Sequence, residues 1–268
     1  MIKFRFVFIA LTISCLIAAP VDAAPSPAEA LSIGATWTID SSVLGETRRI
    51  NVYVPAGAAG KPLPVLYMPD GGMLEDFLHV AGLLQVGSGN GTTRPFLLVG
   101  IENTERRRDL TGPTENAKDR TIAPRVGGSQ AFRKFIRYEL MPEIAKRYAV
   151  TSERAIVGES LAGLFVVETL VMEPDLFDVY IAIDPSLWWN NGALARRVIS
   201  APTDLKPGKS LYIATSADGQ AVIDGADVRS GFLKWPGLKF SYQDWPGESH
   251  ATIYHPAALK AFRITLRP

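Results

Sequence analysis

The chain has 268 residues, 47% hydrophobic and 21% charged, which is enough apolar material for one large buried core. Lys and Arg number 28 against 27 Asp and Glu, a formal net charge of +1. No basic excess points to nucleic acid, and no acidic block points to a solvating tail.

The first residues read as a targeting signal. Lys3 and Arg5 make a basic start, Phe6 to Ala19 is an apolar run, and Val21-Asp22-Ala23 places small residues at the −3 and −1 positions of a cleavage site. The run is short for a permanent bilayer span. Residues 1–23 are therefore expected to be an export signal and 24–268 a single periplasmic or secreted domain, with no membrane contact in the mature form. Cys15 could be read as a lipid-attachment cysteine, but apolar residues continue after it to Ala19 where a polar linker would be expected. Cleavage would remove the only cysteine, leaving a domain held by its core rather than by disulfides.

After a Pro/Ala-rich leader, Ala35 to Ile39 and Arg48 to Pro55 read as antiparallel strands, the second with alternating Ile50, Val52 and Val54. Val65 to Met68 is wholly apolar, as a central strand buried on both faces should be. It ends in Pro69-Asp70-Gly71-Gly72-Met73, and a helix is predicted over about 74–86. Pro95 to Ile101 is the next strand. Glu102 to Val126 is a long polar loop, of a length that is usually functional or disordered. Phe132, Ile136, Leu140 and Ile144 recur every four residues, which predicts an amphipathic helix over 128–148 with a kink near Pro142. Strands follow at 155–157, 179–183, 211–215 and 238–242, with helices at 161–173, 193–200 and 256–262. Apolar strands alternating with helices argue for an α/β fold: a mostly parallel twisted sheet with helices on both faces. Ligands on such sheets bind beyond the carboxyl ends of the strands, where the Asp70, Ser160, Asp184, Asp218 and His250 segments would converge.

The segment Gly158-Glu159-Ser160-Leu161-Ala162-Gly163 follows a short apolar strand and opens a helix, the pattern of a nucleophile elbow with serine at the apex. Its neighbours must be small, and Gly158, Ala162 and Gly163 are, although Ala162 stands where glycine is usual. A plain helix N-cap would also explain the serine. A serine hydroxyl needs a base. His250, after a strand and the turn Trp245 to Ser249, is the favoured one. His79 lies in a helical apolar pattern and reads as packed, and His255 sits beside Pro256 near a helix start. The acid that orients the base should lie between serine and histidine in the chain. Asp218, just past a strand, is the choice, Asp184 the main rival, and Asp224 and Asp227 rank lower. Backbone N–H donors for an oxyanion are expected at Leu161 and at Gly72, with Met73 the alternative.

These residues, with Arg49 to Pro55, Val65 to Gly71, Arg108 to Thr111, Glu139 to Pro142, Pro185 to Trp189 and Glu248 to His250, make the chain similar to the putative-esterase family of α/β-hydrolases. That group includes ferric-siderophore esterases, esterase D-like thioesterases, feruloyl and acetyl esterases, and mycolyltransferases. The resemblance implies Ser160 as nucleophile, His250 as base and an oxyanion contact at Asp70-Gly71-Gly72. The acid stays open, because some siderophore esterases of this kind work with a serine–histidine dyad. Trp188 and Trp189 would wall an acyl or aryl group, or simply pack under the next helix. Arg106 to Arg108 would recognise an anionic substrate, with Arg108 favoured, or form a solvated charge run with Glu102, Glu105 and Asp109. No metal cluster and no nucleotide-binding glycine loop is visible, so no cofactor is expected. The expected activity is serine-dependent hydrolysis of a small-molecule ester through an acyl-enzyme. Acyl transfer by the same site, or a non-catalytic binding protein on this scaffold, are the alternatives.

Overall fold

In a computed structural model of the protein, residues 28–58, 60–202, 205–219, 222–223 and 226–268 are described. The expected export signal at 1–23 lies outside them, as does Asp224. The chain divides into Met1–Ser32 and a compact unit, Ile33–Pro268, and all that follows concerns the second.

Ten strands and eight α-helices are described in that unit. The strands of the main sheet are β1 (Ala35–Ser41), β2 (Glu46–Tyr53), β3 (Leu63–Met68), β4 (Leu97–Ile101), β5 (Val150–Glu159), β6 (Val179–Ile183), β7 (Lys209–Ser216) and β10 (Leu238–Trp245). Two-residue strands β8 (Val222–Ile223) and β9 (Ala226–Asp227) pair separately. The main sheet runs in the order β1-β2-β4-β3-β5-β6-β7-β10. The β1–β2 and β2–β4 ladders are antiparallel, and every ladder from β4 to β10 is parallel. All residues of β3, β4 and β6 are buried, which is why they read as unbroken apolar runs.

Helices cover both faces, and each face has its own apolar layer. On one side pack α3 (Ser129–Phe135), α4 (Met141–Arg147), α5 (Leu161–Met172), α6 (Trp189–Ser200) and α7 (Val228–Phe232), with Phe132, Phe165, Val167, Val198 and Phe232 in the layer. On the other pack α1 (Phe77–Gly89) and α8 (Tyr254–Thr265), with Phe77, Val80, Leu84, Ala258 and Phe262. This is an α/β-hydrolase-type fold, as the alternating pattern predicted.

The predicted long helix at 128–148 is present but interrupted. Between α3 and α4 the backbone widens to a π-turn over Ile136–Leu140, directly before Pro142. Proline offers no N–H to the preceding turn, and the wider turn takes up the mismatch. The polar loop at 102–126 is tied down by charge pairs as well as by Leu110, which is buried in the core, and by Ile122 and Val126 packed against it. It holds the single-turn helix α2 (Arg106–Asp109), and Arg48 of β2, fully buried, pairs with Asp109 beneath it. Arg48 also donates to the Thr104 hydroxyl at 2.8 Å, tying the loop to the sheet.

Candidate active site

Three strands end in residues with positive φ: Asp70 after β3 (55°), Ser160 after β5 (59°) and Asp184 after β6 (43°). Side chains rarely adopt this backbone, and such strain persists only where the surroundings over-determine it. At Ser160 the surroundings are the sharp turn from β5 into α5. A Cβ at Gly158 would meet the Ala162 carbonyl carbon and oxygen, both at 2.6 Å. A Cβ at Gly163 would come within 3.0 Å of the Ile183 carbonyl oxygen. Ala162 itself is fully buried, so its methyl fits because Gly158 opposite has none. The departure from glycine at this position is thereby accommodated.

The histidine loop after β10 reaches across to this turn. His250 Nε2 lies 3.0 Å from Ser160 Oγ, and His250 Nδ1 lies 2.7 Å from Asp184 Oδ2. Asp184 is 4% exposed. Its Oδ1 accepts from the Ser216 N–H at 2.9 Å, and its Oδ2 accepts from the Ser216 hydroxyl at 2.7 Å. These bonds fix the carboxylate in one pose, with Oδ2 turned to the imidazole. A hydroxyl, a ring and a buried carboxylate thus stand in series, the arrangement by which a base is oriented and a serine proton removed.

The acid expected from the sequence is displaced. Asp218 does contact His250, but through the backbone: its Oδ2 accepts from the His250 N–H at 3.0 Å. It anchors the loop rather than the ring. The ring position belongs to Asp184, the rival, because Asp184 follows β6 directly and points under the imidazole, whereas Asp218 lies on the exposed turn beyond β7. Asp227 caps α7 through the Arg229 N–H, away from the ring.

Leu161 is the first residue of α5, and the first N–H groups of a helix have no acceptor within it. Gly72 does not offer a free donor. Its N–H is taken by Glu75 Oε2 at 2.7 Å, a carboxylate three residues on that folds back over the turn, and the Gly71 N–H bonds the Ile101 carbonyl at 3.0 Å. Met73 next to it is exposed.

The pocket at this rim has a volume of about 250 Å³ and is lined by Ser160, Ser186, Trp188, Asp218, Gly219 and His250 among others. Trp188 is 45% exposed there. Trp189 turns inward instead: it is 4% exposed and donates from Nε1 to the Gly112 carbonyl at 2.9 Å. Of the expected aromatic wall, one residue lines the pocket and one packs. Arg108 is drawn away from the serine. Its guanidinium donates to Glu46 at 2.7 and 3.0 Å and to Asp109 at 2.7 Å, holding the loop to β2, and it lines separate grooves with Arg125. Arg106 is likewise bound, in two bonds of 2.7 and 2.8 Å to Asp70.

Two features of the rim were not read from the sequence. Glu159, beside the nucleophile, has Oε1 3.3 Å from His250 Nε2. Burial raises its carboxyl to about 7, against the pull of His250 and Arg106. Further out, burial and the neighbouring Asp70 charge raise the Asp76 carboxyl to about 6. His79 packs against Tyr254 and His255, each with ring centroids at 4.9 Å, and burial lowers it to about 4. It is a packed histidine, as its apolar surroundings implied. Among the described residues no group of His, Cys, Asp and Glu is arranged to hold a metal.

Fold and site together define the class, an α/β-hydrolase-type ester hydrolase. Comparison with known proteins gives the family: residues 41–219 match the family described as Putative esterase, and the chain belongs to it. Among curated relatives, the ferri-bacillibactin esterase BesA of Bacillus subtilis is 27% identical over 89% of this chain and 92% of its own. The siderophore triacetylfusarinine C esterase of Aspergillus fumigatus is 33% identical over 48% of this chain and 46% of its own. Among solved structures, an IroE-like serine hydrolase from Shewanella oneidensis superposes with a TM-score of 0.74 at 28% identity, covering 87% of this chain and 80% of its own. The siderophore hydrolase EstA from Aspergillus nidulans has the same fold, with a TM-score of 0.72 at 24% identity, covering 90% of this chain and 96% of its own.

Proposed function

We propose that the protein is an exported serine esterase that opens the ester bonds of siderophores. The observation that carries the mechanism is the 3.0 Å contact from Ser160 Oγ to His250 Nε2, backed by the 2.7 Å contact from Nδ1 to a buried Asp184. Ser160 attacks the ester carbonyl while Nε2 takes the hydroxyl proton, and Asp184 stabilises the imidazolium that results. The Leu161 N–H, at the positive end of α5, supports the oxyanion, with the Met73 N–H the remaining candidate from the Asp70 turn. Nε2 then protonates the leaving alkoxide, and an acyl-Ser160 ester remains. Water, deprotonated by the same nitrogen, releases the acid and restores the hydroxyl. His250 is 48% exposed, which leaves a path for that water and favours hydrolysis over transfer. The siderophore substrate is supported by what the relatives above are named for, and Trp188 at the pocket offers a face for a planar iron-binding group. Export rests on the basic start, apolar run and small-residue cleavage site of residues 1–23.

Incubation with ferric and iron-free trilactone and hydroxamate-ester siderophores, followed by chromatography, tests the activity. Linear acid products from the parent protein and none from Ser160→Ala are expected. Equal product from both would overturn the assignment of Ser160. N-terminal sequencing of protein from the native cell envelope or medium tests export: a start at Ala24 is expected, and an intact Met1 would contradict it.

A further inference from the structure

The pocket holds a second serine that the esterase mechanism above does not use. Ser186, two residues past Asp184, is 5% exposed, and its Oγ lies 3.4 Å from Ser160 Oγ. Among the described residues no other group bonds that hydroxyl. The backbone of Ser186 is fixed on both sides: its N–H donates to the Ser160 carbonyl at 3.0 Å, and its carbonyl accepts from the Trp189 N–H at 3.2 Å. The two hydroxyls are thus held side by side by the chain itself. Ser160 has one hydroxyl hydrogen, and the base requires it on the 3.0 Å line to His250 Nε2. Only lone pairs are left to face Ser186, so Ser186 is the donor and Ser160 Oγ the acceptor.

We propose that Ser186 is a catalytic residue that donates a hydrogen bond to Ser160 Oγ in every state except the acyl-enzyme, and so hastens breakdown of the acyl-enzyme. The inference rests on Ser160 being the nucleophile. In the free enzyme the acceptor is a hydroxyl oxygen with its lone pairs available. In the tetrahedral species it is a singly bonded oxygen on a saturated carbon, again a good acceptor. In acyl-Ser160, between these states, a lone pair of the same oxygen is delocalised into the ester carbonyl, and the oxygen accepts poorly. Ser186, buried and without a second partner, is then left unpaired, which is costly for a buried hydroxyl. The cost falls on the acyl-enzyme alone, because the bond is regained as water turns the ester carbon tetrahedral. No proton leaves Ser186 at any step. Nε2 takes a proton from the attacking water and passes it to Ser160 Oγ as the carbon–Oγ bond breaks, with the bonding electron pair staying on Oγ.

The test is stopped-flow release of p-nitrophenol from p-nitrophenyl butyrate by the parent and Ser186→Ala. The burst reads acylation and the steady phase reads breakdown, while intact mass follows the butyryl adduct. In Ser186→Ala, breakdown is expected to be about fivefold slower or more, with acylation within about twofold of the parent. The adduct should therefore accumulate, and kcat and KM should fall together while kcat/KM holds. Ser186→Gly makes the same deletion and serves where the alanine variant does not fold. Breakdown at the parent's rate overturns the proposal, as does equal slowing of both steps, which is what a merely distorted site would show. Loss of the underlying reading looks different, because then Ser160→Ala would turn over substrate like the parent.

Discussion

Replacing Asp184 by Asn tests which acid serves the ring. The two oxygens of Asp184 have separate tasks: Oδ1 accepts from the Ser216 N–H at 2.9 Å, and Oδ2 faces His250 Nδ1 at 2.7 Å. In Asp184→Asn the carbonyl oxygen must stay at the Ser216 N–H, so the NH2 group is forced to face Nδ1. Nδ1 then becomes an acceptor, and the ring proton moves to Nε2, where it points at Ser160. The base has the wrong tautomer while the packing is unchanged. Such a change is expected to lower kcat by about 10⁴, or about 5.4 kcal/mol of barrier at 1.36 kcal/mol per decade. Asp218→Asn is different in kind, since its carbonyl can still accept from the His250 N–H that Asp218 holds at 3.0 Å. Its effect is expected to stay below tenfold, about 1 kcal/mol. The assay is kcat for p-nitrophenyl butyrate at the plateau pH, with circular dichroism to confirm folding. Asp184→Asn within tenfold of the parent, or Asp218→Asn worse than Asp184→Asn, would refute the placement of the acid.

The two tryptophans should separate cleanly. Trp188→Ala, at the pocket, is expected to raise KM for aryl-bearing esters severalfold with the melting temperature unchanged, whereas Trp189→Ala, which removes a packed indole, should cost about 3–5 kcal/mol in urea denaturation. A stable Trp189→Ala protein with a raised KM would reverse their roles. Asp76 gives a pH prediction with a definite sign. Its carboxyl lies at about 6 in the folded chain against an ordinary 3.8, so the folded state holds the proton more tightly, and the stability this brings is full below pH 3.8 and lost as pH rises through about 6. Asp76→Asn should therefore be the more stable protein at pH 8, with the gap closing below pH 4, as read from denaturant midpoints at each pH. A constant gap would contradict this.

How much of this was legible in the sequence depended on the range of the interactions. The wholly apolar strand Val179–Ile183 was readable to the residue, because burial on both faces leaves no polar position to blur it. The elbow was readable because its small residues are close in sequence and answer one local steric demand. Asp218 against Asp184 was not, because both follow strands and both precede His250 in the chain. Only the approach of the histidine loop decides which carboxylate meets the ring and which the backbone. Gly72 was misjudged for a similar reason, since the glycine signals a close backbone approach but cannot say that Glu75 already fills it. The arginine run was readable as pairing with nearby acids, and Arg108 does bond Asp109, but its bond to Glu46, 62 positions away, was beyond the reach of local sequence. Glu159 did carry a signal that was passed over: a charged residue inside an elbow, beside a reactive hydroxyl, is seldom without consequence for its charge.

The most direct measurement for the chemistry at Ser160 is labelling with a fluorophosphonate, followed by intact mass and peptide mapping. One covalent adduct on Ser160 in the parent is predicted, strongly slowed in His250→Ala and undetectable in Ser160→Ala. Folded parent protein that takes no label, or takes it at another residue, would contradict the assignment.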